Sequence, residues 1–118
     1  MVSRDEVVAF LNLFKGCLEL DLYGIKDREK NLQGLIDLGI TPKERKEILL
    51  GLTPENYHSG PKPDDTDDTK EVWEFGTSVG NTEVYIKLRV VRIASKNTYR
   101  ALVWSFHPAE FPITYPLR

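Results

Sequence analysis

The stretch 84–91 constrains the fold more than any other. Val84, Ile86, Leu88 and Val90 alternate with Tyr85, Lys87, Arg89 and Val91, the period of two that marks a strand buried on one side. One face is apolar and needs a core. The other carries a phenol, an ammonium and a guanidinium in a row. Leu102, Trp104 and Phe106 repeat the pattern against Ala101, Val103, Ser105 and His107, and Ser95-Lys96-Asn97 reads as the turn between the runs. A one-residue slip would send every apolar side chain to the wrong face. Keeping both apolar sets together about a loop centred on Lys96 sets Tyr85 opposite His107 and Lys87 opposite Ser105. In the preceding hairpin, Trp73 and Phe75 supply the core residues and Gly80-Asn81 the two-residue turn. That register puts Glu74 opposite Lys87. Glu74, Tyr85, Lys87 and His107 then share one polar face, turned away from Trp104.

The residues before this sheet read as helices. Ser3 with Glu6 forms a capping box, and Val7, Phe10, Leu11, Phe14 and Leu18 follow at helical spacing. Residues 20–23 read as a short extended piece. Asp27 can cap a second helix, with Leu32, Leu35 and Ile36 facing inward and a stop at Gly39. Thr41, Pro42 and Glu44 start a third, which buries Ile48 and Leu49 and stops at Gly51. Thr53-Pro54 allows one further turn before Tyr57. Gly60-Pro61-Lys62-Pro63 cannot continue a helix, and Asp64, Asp65, Asp67 and Asp68 repel one another, so 59–70 reads as a mobile, solvated loop. It lacks the central glycine and terminal glutamate of a calcium-binding EF-hand. No metal or other cofactor is expected. The tail from His107-Pro108 onward reads as an extended strap anchored by Phe111 and Tyr115.

The expected fold is a single α+β domain over 1–118. It has a helical part at 3–55, an antiparallel sheet within 56–107 and a proline-rich strap at 108–118. The sheet is a three-stranded meander with room for a further strand around Tyr57, and the helices pack on its apolar face. The polar face stays open. At 13.5 kDa the chain can bury a core of its own. No apolar run is long enough to cross a bilayer, and the lone Cys17, expected as core filler, allows no internal disulfide. A cytoplasmic protein is the expectation.

Net charge of −2 argues against general nucleic-acid binding. Locally the balance reverses. Residues 84–100 hold Lys87, Arg89, Arg92, Lys96 and Arg100 with no acid among them. Cations interleaved with aromatics can hold a phosphate backbone and stack a base. The same residues also suit a surface ion pair between Glu74 and Lys87 and a half-buried strand tyrosine.

Several blocks resemble the MqsR family of bacterial toxins, in that family's order. They are Leu38-Gly39-Ile40; Ile48-Leu49-Leu50-Gly51-Leu52-Thr53; Asn56-Tyr57-His58-Ser59; Val72-Trp73-Glu74; Val84-Tyr85-Ile86-Lys87-Leu88; and Val103-Trp104-Ser105-Phe106-His107. The likeness runs from about residue 38 to 110. It implies a RelE-like microbial ribonuclease fold and the toxin of a type II toxin–antitoxin system. The implied activity is a metal-independent endoribonuclease, an mRNA interferase, neutralised by a cognate antitoxin. By position, the family's functional lysine after the helices falls on His58 and its glutamine after the strand tryptophan on Glu74. Its tyrosine falls on Tyr85, and its lysine after Ser-Phe on His107. Only the tyrosine is identical.

Such a reaction is attack of the ribose 2′-OH on the adjacent phosphate. It needs a base, an acid and cations around the developing charge. Tyr85 and His107 are the expected proton-transfer groups, with Glu74 or His58 assisting, and Lys87 and Arg89 the expected phosphate clamps. Histidine suits proton transfer near neutrality better than lysine. Alternatives are a noncatalytic RNA- or protein-binding domain on the same fold, and a structural domain that docks another chain through its open sheet face or edge.

Overall fold

The structure is a computed structural model and describes residues 2–118. Its helices are α1 (Arg4–Glu19), α2 (Glu29–Leu38) and α3 (Pro42–Leu50). Its strands are β1 (Tyr23–Ile25), β2 (Tyr57–Pro63), β3 (Glu71–Val79), β4 (Thr82–Ile93) and β5 (Thr98–Pro108). They form one five-stranded sheet in the order β1-β5-β4-β3-β2. The fold is α+β as expected. The sheet is mixed rather than purely antiparallel, because β1 pairs parallel with β5.

Helix α1 begins at the Ser3–Glu6 capping box, both of whose hydrogen bonds form. It lays Val7, Phe10, Leu11, Phe14, Cys17 and Leu18 on the sheet. Phe10 stacks on Trp73 with ring centroids 4.3 Å apart, and Tyr57 meets Trp73 and Phe75 edge-on. Both geometries suit the quadrupoles of aromatic rings. Val84, Ile86 and Leu88 complete this layer, fully buried.

The β3–β4 register is as expected, with Glu74 opposite Lys87. The β4–β5 register holds only at one end. Tyr85 pairs with His107 and Lys87 with Ser105, but Leu88 pairs with Val103, leaving Trp104 as the extra residue of a β-bulge. A bulge changes which residues face the core on either side of it. Phe106 is therefore buried as expected, whereas beyond the bulge Ala101 and Val103 take the core positions meant for Leu102 and Trp104.

Helix α2 corrects the sequence reading. Its N-cap is Arg28, which makes no side-chain capping bond, and not Asp27. Leu32 and Ile36 are 66% and 65% exposed, and the buried residues are Asn31 and Gly34. The reason lies at the β5 edge. Strand β1 stops at Ile25, and from there the Asn31 amide takes over the ladder, donating to the Trp104 carbonyl and accepting from the Phe106 N–H. Gly34 permits the approach, since a Cβ there would lie 2.7 Å from the Phe106 carbonyl oxygen. Helix α3 has the expected Thr41–Glu44 capping box and Pro42 in its first turn, and buries Leu49.

Strand β2 continues through Pro63, where a loop was expected. Its prolines are tolerated because it is an edge strand. The acidic stretch after it is a turn that is solvated at Asp65 and Asp68 but not at Asp64. The Asp64 N–H bonds the Lys70 carbonyl, and Asp64 itself is 3% exposed.

Candidate functional site

The polar face of the sheet is a covered cleft of about 600 Å³. The floor comes from β3, β4 and β5, which supply Glu74, Tyr85, Lys87, Ser105 and His107. One wall is the turn at Asp64–Thr66. Another is the segment leading into α2, with Lys26 and Arg28, continued by Lys30 in the first turn of that helix. The tail closes the third side with Glu110 to Ile113.

The tail lies where the sheet makes room for it. Gly76 stands opposite Tyr85, and a Cβ on it would come within 2.6 Å of the Tyr115 hydroxyl and 2.8 Å of Ile113. Glu83 pins the tail by accepting from the Ile113 N–H at 3.0 Å and the Tyr115 hydroxyl at 2.9 Å. Burial, then the bond to Glu83, pushes the Tyr115 phenol up to about 12. Tyr115 is thus the expected anchor. Phe111 is not, being 81% exposed.

Five of the six sequence-derived site residues line the cleft: His58, Glu74, Tyr85, Lys87 and His107. Glu74 is buried and accepts hydrogen bonds from Tyr85, Ser59 and Lys62. Burial alone would raise its carboxyl, but the bonds from Lys62, Ser59 and Tyr85 outweigh it and hold the group below its ordinary value. Tyr85 moves the other way: burial first, then the bond to Glu74, raises its phenol far above the ordinary value. Near neutral pH, Glu74 is an anion and Tyr85 keeps its proton. The Tyr85 and His107 rings are neighbours, with centroids 5.6 Å apart.

Both histidines of the chain line this cleft. His107 Nδ1 lies 2.9 Å from the Pro108 carbonyl, and His58 Nδ1 lies 2.8 Å from the Thr114 carbonyl. A carbonyl only accepts, so each Nδ1 carries the proton and donates it. In the neutral tautomer each Nε2 keeps a lone pair.

The two expected clamps sit differently. Lys87 reaches the cleft but pairs with Asp64 at 2.7 Å, where both side chains are nearly buried. Burial works against the Asp64 charge, yet Lys87 and Thr66 hold its carboxyl well below the usual range. Arg89 lies outside the cleft and donates to the Glu71 carbonyl. Arg92 is likewise engaged elsewhere, on Asn97. The basic run 84–100 is therefore not one patch.

Compared with protein-family models, curated proteins and solved structures, the chain matches none. Among the described residues, no three His, Cys, Asp or Glu side chains are placed to hold a metal ion. No helix is long and apolar enough to cross a membrane.

Sequence reasoning missed Lys26, Arg28 and Trp104. The Lys26 ammonium lies 3.9 Å from the Trp104 ring centroid, and Arg28 donates to the Ser105 hydroxyl at 2.8 Å. Lys30 pairs with Glu110 at 2.7 Å. Lys26 and Arg28 have no acidic partner among the described residues. The alternation Lys26-x-Arg28-x-Lys30 was in the sequence, but only the bulge at Trp104 turns the indole toward it. The cleft thus mixes polar and apolar walls, cationic beside Lys26 and Arg28, acidic beside Asp64 and Asp65, and apolar at Trp104 and along Phe111 to Ile113.

Proposed function

We propose that the chain is the toxin of a type II toxin–antitoxin pair. On this reading it is a RelE-like, metal-independent endoribonuclease that cuts messenger RNA in the cytoplasm and is restrained by a cognate antitoxin protein. The observation that carries this reading is the convergence of His58, Glu74, Tyr85 and His107 in one cleft, with Nδ1 of each histidine tied to a carbonyl. The MqsR-like blocks on which these residues lie support it as well, with Tyr85 the one identical residue.

In this mechanism the Nε2 of one histidine takes the proton of a ribose 2′-OH. The 2′ oxygen attacks the adjacent phosphorus, and the bond from phosphorus to the 5′ oxygen breaks. The other histidine, protonated, gives its proton to that leaving oxygen. The products are a 2′,3′-cyclic phosphate and a 5′-hydroxyl. Tyr85 holds its proton and acts as a donor rather than a base. Turned from Glu74 to a phosphoryl oxygen, it would stabilise the developing charge, as would Lys26 and Arg28. Lys87, through Asp64, holds the wall of the cleft.

The test is incubation with an end-labelled, single-stranded RNA oligonucleotide in the presence of a chelator. Cleavage to a cyclic phosphate is expected, and one 2′-deoxy sugar at the cut site should abolish it. His107→Gln and His58→Gln should each lower the rate about 10²–10⁴-fold. A folded parent protein that binds the RNA at low salt without cutting it would overturn the ribonuclease reading in favour of a binding domain.

A further inference from the structure

Two aromatic side chains at the cleft do nothing for the core. Trp104 is the bulged residue of β5, and it lines the cleft instead of the interior. Phe111 lies on the tail that forms another wall of the same cleft, 81% exposed, while its neighbours Ile113 and Tyr115 pack down over Gly76. Pro112 stiffens the backbone beside it, which restricts where the ring can project. Aromatic rings that line a concave site without serving the core mark a binding surface more often than a folding need.

The neighbouring charges say what kind of ligand fits. Lys26 is exposed and covers the Trp104 ring with its ammonium, a weak contact at a solvent-facing site. A flat base stacks on an indole more strongly than an exposed ammonium does. Displaced from the ring, Lys26 would stand beside Arg28 at the cationic end of the cleft. We infer that Trp104 and Phe111 form a nucleobase subsite, with Lys26 and Arg28 receiving the phosphate next to that base. The ligand class is a nucleotide unit of single-stranded nucleic acid. The inference rests on the proposed ribonuclease reading and assigns the substrate unit beside its cleaved bond.

The probe is a single-stranded oligodeoxynucleotide, which lacks the 2′-OH and reports binding apart from cleavage. Trp73 is buried, so quenching of tryptophan fluorescence reports Trp104. The parent should bind with quenching, and Phe111→Ala should weaken binding about 5- to 100-fold, from the usual strength of base–aromatic stacking. Phe111→Tyr should bind like the parent. Phe111 is exposed, so its replacement leaves the fold intact. An oligomer of abasic sugar phosphates should bind parent and Phe111→Ala alike. Equal affinity of parent and Phe111→Ala for the base-bearing probe would overturn the subsite, as would binding without quenching or no binding at all. Phe111-dependent binding with quenching by a protein that cuts no RNA would uphold the subsite and overturn the ribonuclease reading. RNA cleavage with the same KM in parent and Phe111→Ala would do the reverse.

Discussion

The two faces of the sheet are built on opposite principles. The face under α1 is a layer of aromatic and aliphatic side chains held by shape and exclusion of water. The face under the tail buries or half-buries Glu74, Tyr85, Lys87, Ser105, His107 and Asp64, each with a directed partner. Among the described residues no buried side-chain polar atom lacks a hydrogen bond. The first face is largely non-directional, and its only titratable groups, Cys17 and Tyr57, are pushed up by burial and so stay neutral at acid and neutral pH. The second depends on every partner being present, because a buried charge that loses its partner is costly. Packing by shape and bonding by directed partners are thereby separated across a single sheet.

The largest expected effect sharpens that contrast from the apolar side. Phe75→Ala, at a fully buried position in contact with Phe10 and Tyr57, should cost about 3–5 kcal/mol in denaturant unfolding. The loss should be nearly the same at pH 5 and pH 8.

Next is Lys87→Met, which leaves the Asp64 carboxylate buried and unpaired. A cost on the order of 3 kcal/mol is expected. Adding Asp64→Leu should restore most of it, whereas no second substitution on the polar face should rescue Phe75→Ala. If Lys87→Met unfolds at the parent's denaturant midpoint, the pair holds nothing in place.

Stability against pH should divide the faces further. The carboxyls of Asp64 and Glu74 are held below their ordinary values in the folded chain. Their stabilisation is therefore full above the unfolded carboxylate range of about 4 and is lost as pH falls through the lower folded values. The Tyr85 and Tyr115 phenols are raised, the latter to about 12. Their contribution is full below the unfolded value of about 10 and is lost as pH rises through the folded ones. The unfolding free energy should be a plateau that falls on both sides, and Asp64→Asn should flatten the acid limb.

The smallest effect is expected at Leu32. At 66% exposure, Leu32→Lys should change stability by no more than about 0.5 kcal/mol. A core role would cost several times that.

The apolar face was legible because its signal is periodic. The α1 stripe, the Ser3 and Thr41 caps and the β3–β4 register all follow from spacing. So does the pairing of Tyr85 with His107, which lies on the near side of the bulge. What spacing could not supply was the bulge, because both parities of β5 are apolar: Leu102, Trp104 and Phe106 compete with Ala101 and Val103. Helix α2 misled for a related reason. Its leucines look like a core stripe, but the buried group is Asn31, which fills the gap where β1 ends. The tail was legible as a strap, but that it and the Asp64 turn cover the polar face was not; that face was expected to stay open. The run of aspartates read as repulsion, and only the fold brings Lys87 to Asp64.

The pH dependence of kcat/KM on a defined RNA oligonucleotide, for the parent and for His58→Gln and His107→Gln, tests the role of the polar face most directly. The parent should give a bell with an acid and an alkaline limb, and each substitution should remove one limb while lowering the maximum. Loss of opposite limbs would also name the base and the acid. A bell of unchanged shape and height in both variants, with both still folded, would contradict the assignment of proton transfer to this cleft.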